Sequence, residues 1–240
     1  MGPATLARLL ALSALSIGSF ASPAQELWDG MDRYLTVQTT PIPALINHYN
    51  SPLVAVYWDY PCANEHESSS GYSDAALTFA KPAQPEEPFR ISGPLPGCPG
   101  RILGAIWADG KELGDRAVLA RAHKCRSVTW EELHRTLKED VFSVPPEHWD
   151  PRTTAELLKR RHAPYEGTVQ LGPNDSESAI SCRANAILQI AQDIEDYRTA
   201  IASKPEEAIR RRGLFLQYLK EWEASLTSST FPAQPFWWNW

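Results

Sequence analysis

The chain has 240 residues, a formal net charge of −6 and 43% hydrophobic residues. That is enough polypeptide for one domain with a sizeable core. The acidic balance makes nucleic acid an unlikely partner, because nonspecific binding to it uses a basic surface.

The N-terminus has the three parts of a cleavable export signal. Arg8 and the free amine supply positive charge, Leu9 to Phe20 the apolar stretch, and Ser19 with Ala21 the small residues for a cut after Ala21. A second possible cut follows Ala24, with Ser22 three residues earlier. The apolar stretch is shorter than the roughly 20 residues a bilayer requires. No later segment is apolar enough to span a membrane, so the mature product, residues 22–240, is expected to be secreted and soluble.

The mature chain changes character near residue 127. Residues 22–126 read as strands and loops, and residues 127–240 as helices. Leu53 to Trp58 is β-prone behind Pro52, and Ala75 to Phe79 reads as a second strand. Six prolines between Pro82 and Pro99 predict an irregular, stiff loop. Arg101 to Ala108 is strongly apolar. Asp109-Gly110 begins a turn, and Arg116 to Ala122 reads as a returning strand. Both strands are apolar on two faces, which predicts a central hairpin covered on each side.

Thr129-Trp130-Glu131-Glu132 has the pattern of a capping box opening a helix, with Trp130, Leu133, Leu137 and Val141 on one face. Pro145 and Pro146 stop that helix. Asp150 and Pro151 form an N-cap and first-turn pair for a helix to about His162. The longest helix is expected from about Ser178 to Ser203. Ala179, Cys182, Ala186, Ile190, Ile194, Tyr197 and Ile201 keep helical spacing along it. A last helix begins near Pro205 and runs to about Ser225, its inward face using Ile209, Leu216, Leu219 and Leu226. The last two helices are expected to form an antiparallel pair against the sheet. The whole reads as a single α+β domain: a small antiparallel sheet in the N-terminal half, packed against a mainly helical C-terminal half.

Four cysteines in an exported chain read as two disulfides. The hairpin register suggests their pairing. If Arg101–Ala108 lies antiparallel to Arg116–Ala122, extending the register brings Cys98 opposite Cys125, within disulfide reach. Cys62 is then left for Cys182. Asn174 heads the one Asn-x-Ser/Thr glycosylation sequon, in a polar stretch.

Catalytic motifs are absent. His66-Glu67 begins like a zinc-protease H-E-x-x-H, but Ser70 stands where the second histidine belongs. There is no G-x-S-x-G, no phosphate-cradling G-x-x-x-x-G-K-[ST] and no G-x-G-x-x-G. No metal and no cofactor is expected. Asp59, Glu65, His66 and Glu67 near Cys62 have residue types that do acid/base work, though a solvated loop beside a disulfide is the simpler reading. Lys159-Arg160-Arg161-His162 and Arg210-Arg211-Arg212 are candidate dibasic processing sites or anion patches. Read more simply, the first complements a helix dipole and the second is a solvated face. Phe231 to Trp240 holds five aromatics. Among them Phe236, Trp237, Trp238 and Trp240 either pack on the domain or anchor a partner.

Asp115-Arg116 and His123 lie within a stretch, Gly110 to His123, that resembles the later strands of small secreted ribonucleases. Those enzymes handle a phosphate with histidine, glutamate and arginine on a sheet. The chain departs from that family in having no Tyr-Pro-His run before a paired glutamate, so no catalytic roles carry over. Tyr60-Pro61-Cys62 resembles the aromatic-x-Cys motif of ribonuclease-like fungal effectors. In profile the chain resembles the broad class of secreted effector proteins of plant-associated fungi. That resemblance implies virulence-related action at a host, in its tissue or cells, by binding a host or extracellular protein. A secreted ribonuclease-like or other small hydrolase is the alternative.

N-terminal sequencing of the secreted product is expected to begin at Ser22 or Gln25. A mature protein retaining Leu9 to Phe20 would refute export by cleavage.

Overall fold

A computed structural model describes residues 26–27, 29–38, 44–60, 69–79, 81–90, 100–165, 175–203 and 205–228. The export signal, Cys62, Cys98, Glu65, His66, Glu67, Asn174 and the aromatic run from Phe231 to Trp240 lie outside the described residues. The N-terminal half builds two sheets and the C-terminal half is mostly helical, the expected α+β division.

The first sheet holds β1 (Glu26–Leu27), β4 (Leu53–Tyr60), β5 (Ser69–Asp74), β7 (Arg101–Trp107) and β8 (Glu112–Gly114). Its order is β1-β7-β4-β5, with β8 also on β7. All pairings are antiparallel except the short parallel one between β1 and β7. β4 and β7 are the central strands. Val54, Ala55, Val56, Ile102, Ala105 and Ile106 are all buried, so both faces are covered, as their continuous apolar runs require. The second sheet is antiparallel, with β2 (Leu35–Gln38), β3 (Ala44–Asn47) and β6 (Pro88–Arg90) in the order β2-β3-β6. β6 is thus a strand within the proline-rich stretch expected to be irregular.

Buried Asn47 joins the two sheets. Its Nδ2 donates to the Ser51 carbonyl at 2.8 Å, while its Oδ1 accepts from the Tyr49 N–H at 3.1 Å and the Trp107 Nε1–H at 3.0 Å. A buried amide with three partners is well satisfied, so its burial costs little.

The helices are α1 (Ala75–Thr78), α2 (Arg116–Thr136), α3 (Pro151–His162), α4 (Asp175–Ser203) and α5 (Ala208–Thr227). Three expectations are corrected here. Arg116–Ala122 is the start of α2 and not a strand. Asp115 caps it, accepting from the Ala117 and Val118 amides at 2.7 and 3.1 Å, so the segment is helical from its first turn. Within it Val118 and Ala122 are buried with Ala55, Tyr57 and Ile106 of the sheet, while Arg116, Ala117, Ala120 and Arg121 are exposed. Consequently Thr129 to Glu132 sits in mid-helix and caps nothing. Ala75 to Thr78 is likewise a turn of helix, capped by Asp74 and ended by Phe79 at φ 48°.

The real partner of β7 is β8, which pairs Gly104 with Gly114 and Ile106 with Glu112. This tighter hairpin removes the register that placed Cys98 opposite Cys125. Cys125 instead bonds Cys182, with Cα atoms 5.2 Å apart, which also overturns the Cys62–Cys182 pairing. Cys62 and Cys98 lie outside the described residues. The Cys125–Cys182 bond pins α2 to α4 across 57 residues of sequence. The chain-entropy account gives such a closure about 4 kcal/mol. Beside it, the nearly buried Glu132 carboxylate pairs with Arg135 and with Arg183 Nε at 3.0 Å.

α4 packs mainly on α2 and α3, and α5 mainly on α2, so α2 occupies the centre expected of an α4–α5 pair. Leu216, Leu219 and Leu226 face inward as expected, but Ile209 is 91% exposed. Trp149, Tyr197, Phe215, Tyr218, Trp222 and Phe79 form a continuous series of ring contacts through the core. Trp222 Nε1 donates to the Ala76 carbonyl at 2.9 Å, fastening α5 to α1. α3 runs from Pro151 to His162 with Asp150 as its cap, as expected, and its basic last turn lies where the dipole favours cations. In the other basic cluster, Arg210 and Arg211 both pair with Glu207.

A half-buried acid borders this core. Asp193 of α4 accepts hydrogen bonds from the Tyr218 hydroxyl and, at 2.8 Å, from Gln189. Burial pushes its carboxyl up to about 6, against the pull of those donors, and the Asp196 charge adds to the rise. A folded-state value above the unfolded one means that folding takes up a proton. Stability from this group is therefore gained as pH falls through about 6 and is complete below the unfolded value near 3.8. Relative to Asp193→Asn, the native chain is expected to gain about 2 kcal/mol between pH 7 and pH 4. Denaturant titrations at both pH values check this; an unchanged difference would contradict it.

Candidate functional site

The site begins at Asp74, the last residue of β5. Its side chain is wholly buried and meets three elements. It accepts from the Tyr57 hydroxyl of β4 at 2.7 Å and caps α1 through the Ala76 amide at 2.9 Å. It also takes a two-pronged bond from Arg126 of α2, Nε at 2.9 Å and Nη2 at 3.0 Å. Arg126 is 12% exposed and Asp74 not at all, so water screens the pair little. Burial works against the guanidinium charge, but Asp74 outweighs it and raises the Arg126 pKa. The Tyr57 hydroxyl is pushed well above its ordinary range, by burial first and by the Asp74 charge after it.

Arg126 reaches the wall of a cavity of about 480 Å³ where α2, the C-terminal end of α5 and the sheet meet. Val54, Ile106 and Trp107 give its apolar side. From α2 come His123, Arg126, Ser127 and Trp130, and from β8 comes Glu112. Ser225 to Ser228, at the end of α5, complete it. Helical spacing explains the α2 set, because positions 123, 126, 127 and 130 fall on one face.

Within this cavity His123 Nε2 meets Glu112 Oε1 at 2.8 Å. Glu112 is fixed by the β7–β8 hairpin. The Trp130 ring stacks on His134 with centroids 4.9 Å apart, and His134 in turn bonds Glu223 of α5 at 2.6 Å. The hydroxyls of Ser225 and Thr227 donate to helix carbonyls, which leaves their oxygen lone pairs as acceptors.

Of the residues singled out from sequence, His123 does line the cavity. Arg116 does not: it opens α2, exposed, and the arginine beside His123 is Arg126. Asp115 is used as a helix cap. Asp59 lies on β4 opposite Arg101 of β7, and its carboxyl is raised by burial against the pull of Arg101. Glu112, Arg126, Ser127 and Trp130 escaped sequence reading as site residues. Their one available signal was the spacing of His123, Arg126, Ser127 and Trp130, visible only once the segment is read as helix. Among the described residues no group of three His, Cys, Asp or Glu side chains is placed to hold a metal ion, and no helix is long and apolar enough to cross a membrane.

Comparison with family models, with curated proteins and with solved structures gives no match.

Glu112 depends on Gly114. That residue has φ +135°, and a Cβ there would lie 2.3 Å from the Leu103 carbonyl oxygen. Gly114→Ala is expected to cost about 1–3 kcal/mol in strain and to shift β8 away from α2. Histidine NMR signals of His123 should move with it. An alanine variant of native stability, with His123 unmoved, would contradict the role of this hairpin.

Proposed function

We propose that the mature chain is an exported recognition protein, effector-like in its mode of action, which works by binding a host or extracellular molecule at the cavity between α2, α5 and the sheet. One observation carries this reading: the charged groups of the cavity are already paired within the protein. Arg126 is held by Asp74 on two of its nitrogens, and Glu112 bonds His123 directly. Paired, pre-positioned groups suit recognition, because a ligand meets a fixed surface at low ordering cost. Export and effector-like action rest on the N-terminal segment and the sequence profile. The aromatic run beginning at Phe231 follows the α5 terminus in sequence and supplies further candidate anchors, Phe236, Trp237, Trp238 and Trp240.

A second reading, a small hydrolase, is favoured by the His123–Glu112 pair on the wall of a cavity. Acid/base phosphoryl transfer of the ribonuclease kind needs an acid and a base on opposite sides of the reacting group, with a cation for the phosphate. Here the two groups bond each other at 2.8 Å, and the nearest guanidinium has its charge met by Asp74. Both features support the binding reading over the hydrolase.

The test is site-specific photo-crosslinking of the mature protein in extracellular fluid of a susceptible host. A benzophenone side chain at Ser127 should capture a discrete partner, and one at the exposed Leu188 of α4 should not. Capture from Trp238 alone would move recognition to the aromatic run. RNA cleavage lost in His123→Ala would establish the hydrolase instead.

A further inference from the structure

We infer that the cavity beside Trp130 binds an uncharged saccharide unit, presented either by a polysaccharide or by a glycan on a protein. This inference rests on the recognition reading above and names the chemistry of the ligand.

Three features select it. The first is charge. With Glu112 hydrogen-bonded to His123 and Arg126 to Asp74, these ionisable groups already have partners within the protein. A phosphate or a polyamine would have to compete with those internal partners, whereas a neutral ligand avoids that cost. The second is the mixture of donors and acceptors. Among the described residues Arg126 Nη1 and the Ser127 hydroxyl carry protons given to no partner, while Glu112 and the hydroxyl oxygens of Ser225 and Thr227 accept. A ring of hydroxyls, each both donor and acceptor, can satisfy both sets at once. A purely apolar ligand would leave them unpaired, at a cost of a hydrogen bond each.

The third feature is the aromatic wall. Trp130 is braced by the His134 ring at 4.9 Å, and His134 is itself held by Glu223. A fixed indole offers a flat, electron-rich surface for the polarised C–H face of a sugar ring. At about 480 Å³ the cavity lies within the range of small-ligand sites and suits one or two sugar units.

The chemistry offered is binding. Glycoside hydrolysis uses two carboxyl groups flanking the scissile bond. In this cavity Glu112 is the one carboxylate among the described lining residues.

The experiment uses the mature, disulfide-bonded protein and follows the Trp130 indole N–H by NMR. The probes are neutral tetrasaccharides of β-1,4-glucose, β-1,4-N-acetylglucosamine and α-1,4-glucose, and a released high-mannose glycan. Adenosine monophosphate and spermidine serve as charged controls. At least one neutral probe should give a saturable shift of the Trp130 signal at concentrations where the charged probes give none. Ser127→Ala, a mild change, should weaken it several-fold, and Trp130→Phe by roughly tenfold. Retention by an immobilised polysaccharide, against loss of binding to a glycoprotein after enzymatic deglycosylation, separates the two sources. Failure of every neutral probe to shift Trp130 at millimolar concentration, or tighter binding of a charged control, would overturn the inference. A crosslinked partner that depends on Ser127 and survives deglycosylation would overturn the saccharide while leaving recognition at the cavity intact. Absence of both saccharide binding and cavity crosslinks would overturn the two together.

Discussion

The buried bond between Asp74 and Arg126 joins the end of β5 and the start of α1 to the middle of α2. Asp74 ends a strand, starts a helix and receives a tyrosine hydroxyl, and Arg126 of α2 donates to it twice. A carboxylate with no exposure would be intolerable alone, and here four hydrogen bonds surround it. The pair also explains why the helical half sits where it does. Residues 123, 127 and 130 lie three, one and four residues from Arg126, within about one helical turn, so holding Arg126 positions the α2 side of the cavity wall.

The same bond decides what the cavity can do. An arginine with free charge would make an anion site. Held by Asp74, it presents hydrogen-bond donors whose charge is already balanced, and beside it His123 is hydrogen-bonded to Glu112. Other restraints act beside it, among them the Trp222 indole bond to the Ala76 carbonyl, which joins α5 to α1. Asn47 ties the second sheet to Trp107, and Cys125–Cys182 with Glu132–Arg183 ties α2 to α4.

Elements with strong terminal chemistry were legible in the sequence. Asp150-Pro151 fixed the start of α3 and Pro145-Pro146 followed the end of the preceding helix, because caps and prolines act on neighbouring residues. The apolar runs of β4 and β7 were legible for the same local reason. The start of α2 was not. Its first turns, Arg116 to Ala122, carry apolar residues on several sides although only Val118 and Ala122 are buried there, and that pattern is shared with a buried strand. Asp115 was the available clue. The error carried over into the cysteine pairing, since a hairpin register was inferred for residues that are helical. The site itself was largely hidden. His123 drew notice as a residue type, but Asp74 and Arg126 are 52 residues apart and Glu112 lies on a three-residue strand. Only the folded topology makes them neighbours.

A double-mutant cycle on Asp74 and Arg126 tests the centre of this account. Asp74→Asn keeps an acceptor for the Ala76 amide, and Arg126→Met keeps the length of the side chain. Each single change is expected to cost about 3–5 kcal/mol in denaturant unfolding, because it leaves a buried polar partner unpaired. The double variant is expected to lose less than the sum by more than about 1.5 kcal/mol. Costs that add to within about 0.5 kcal/mol would show that the two residues stabilise the fold independently, and would contradict the role assigned to their bond.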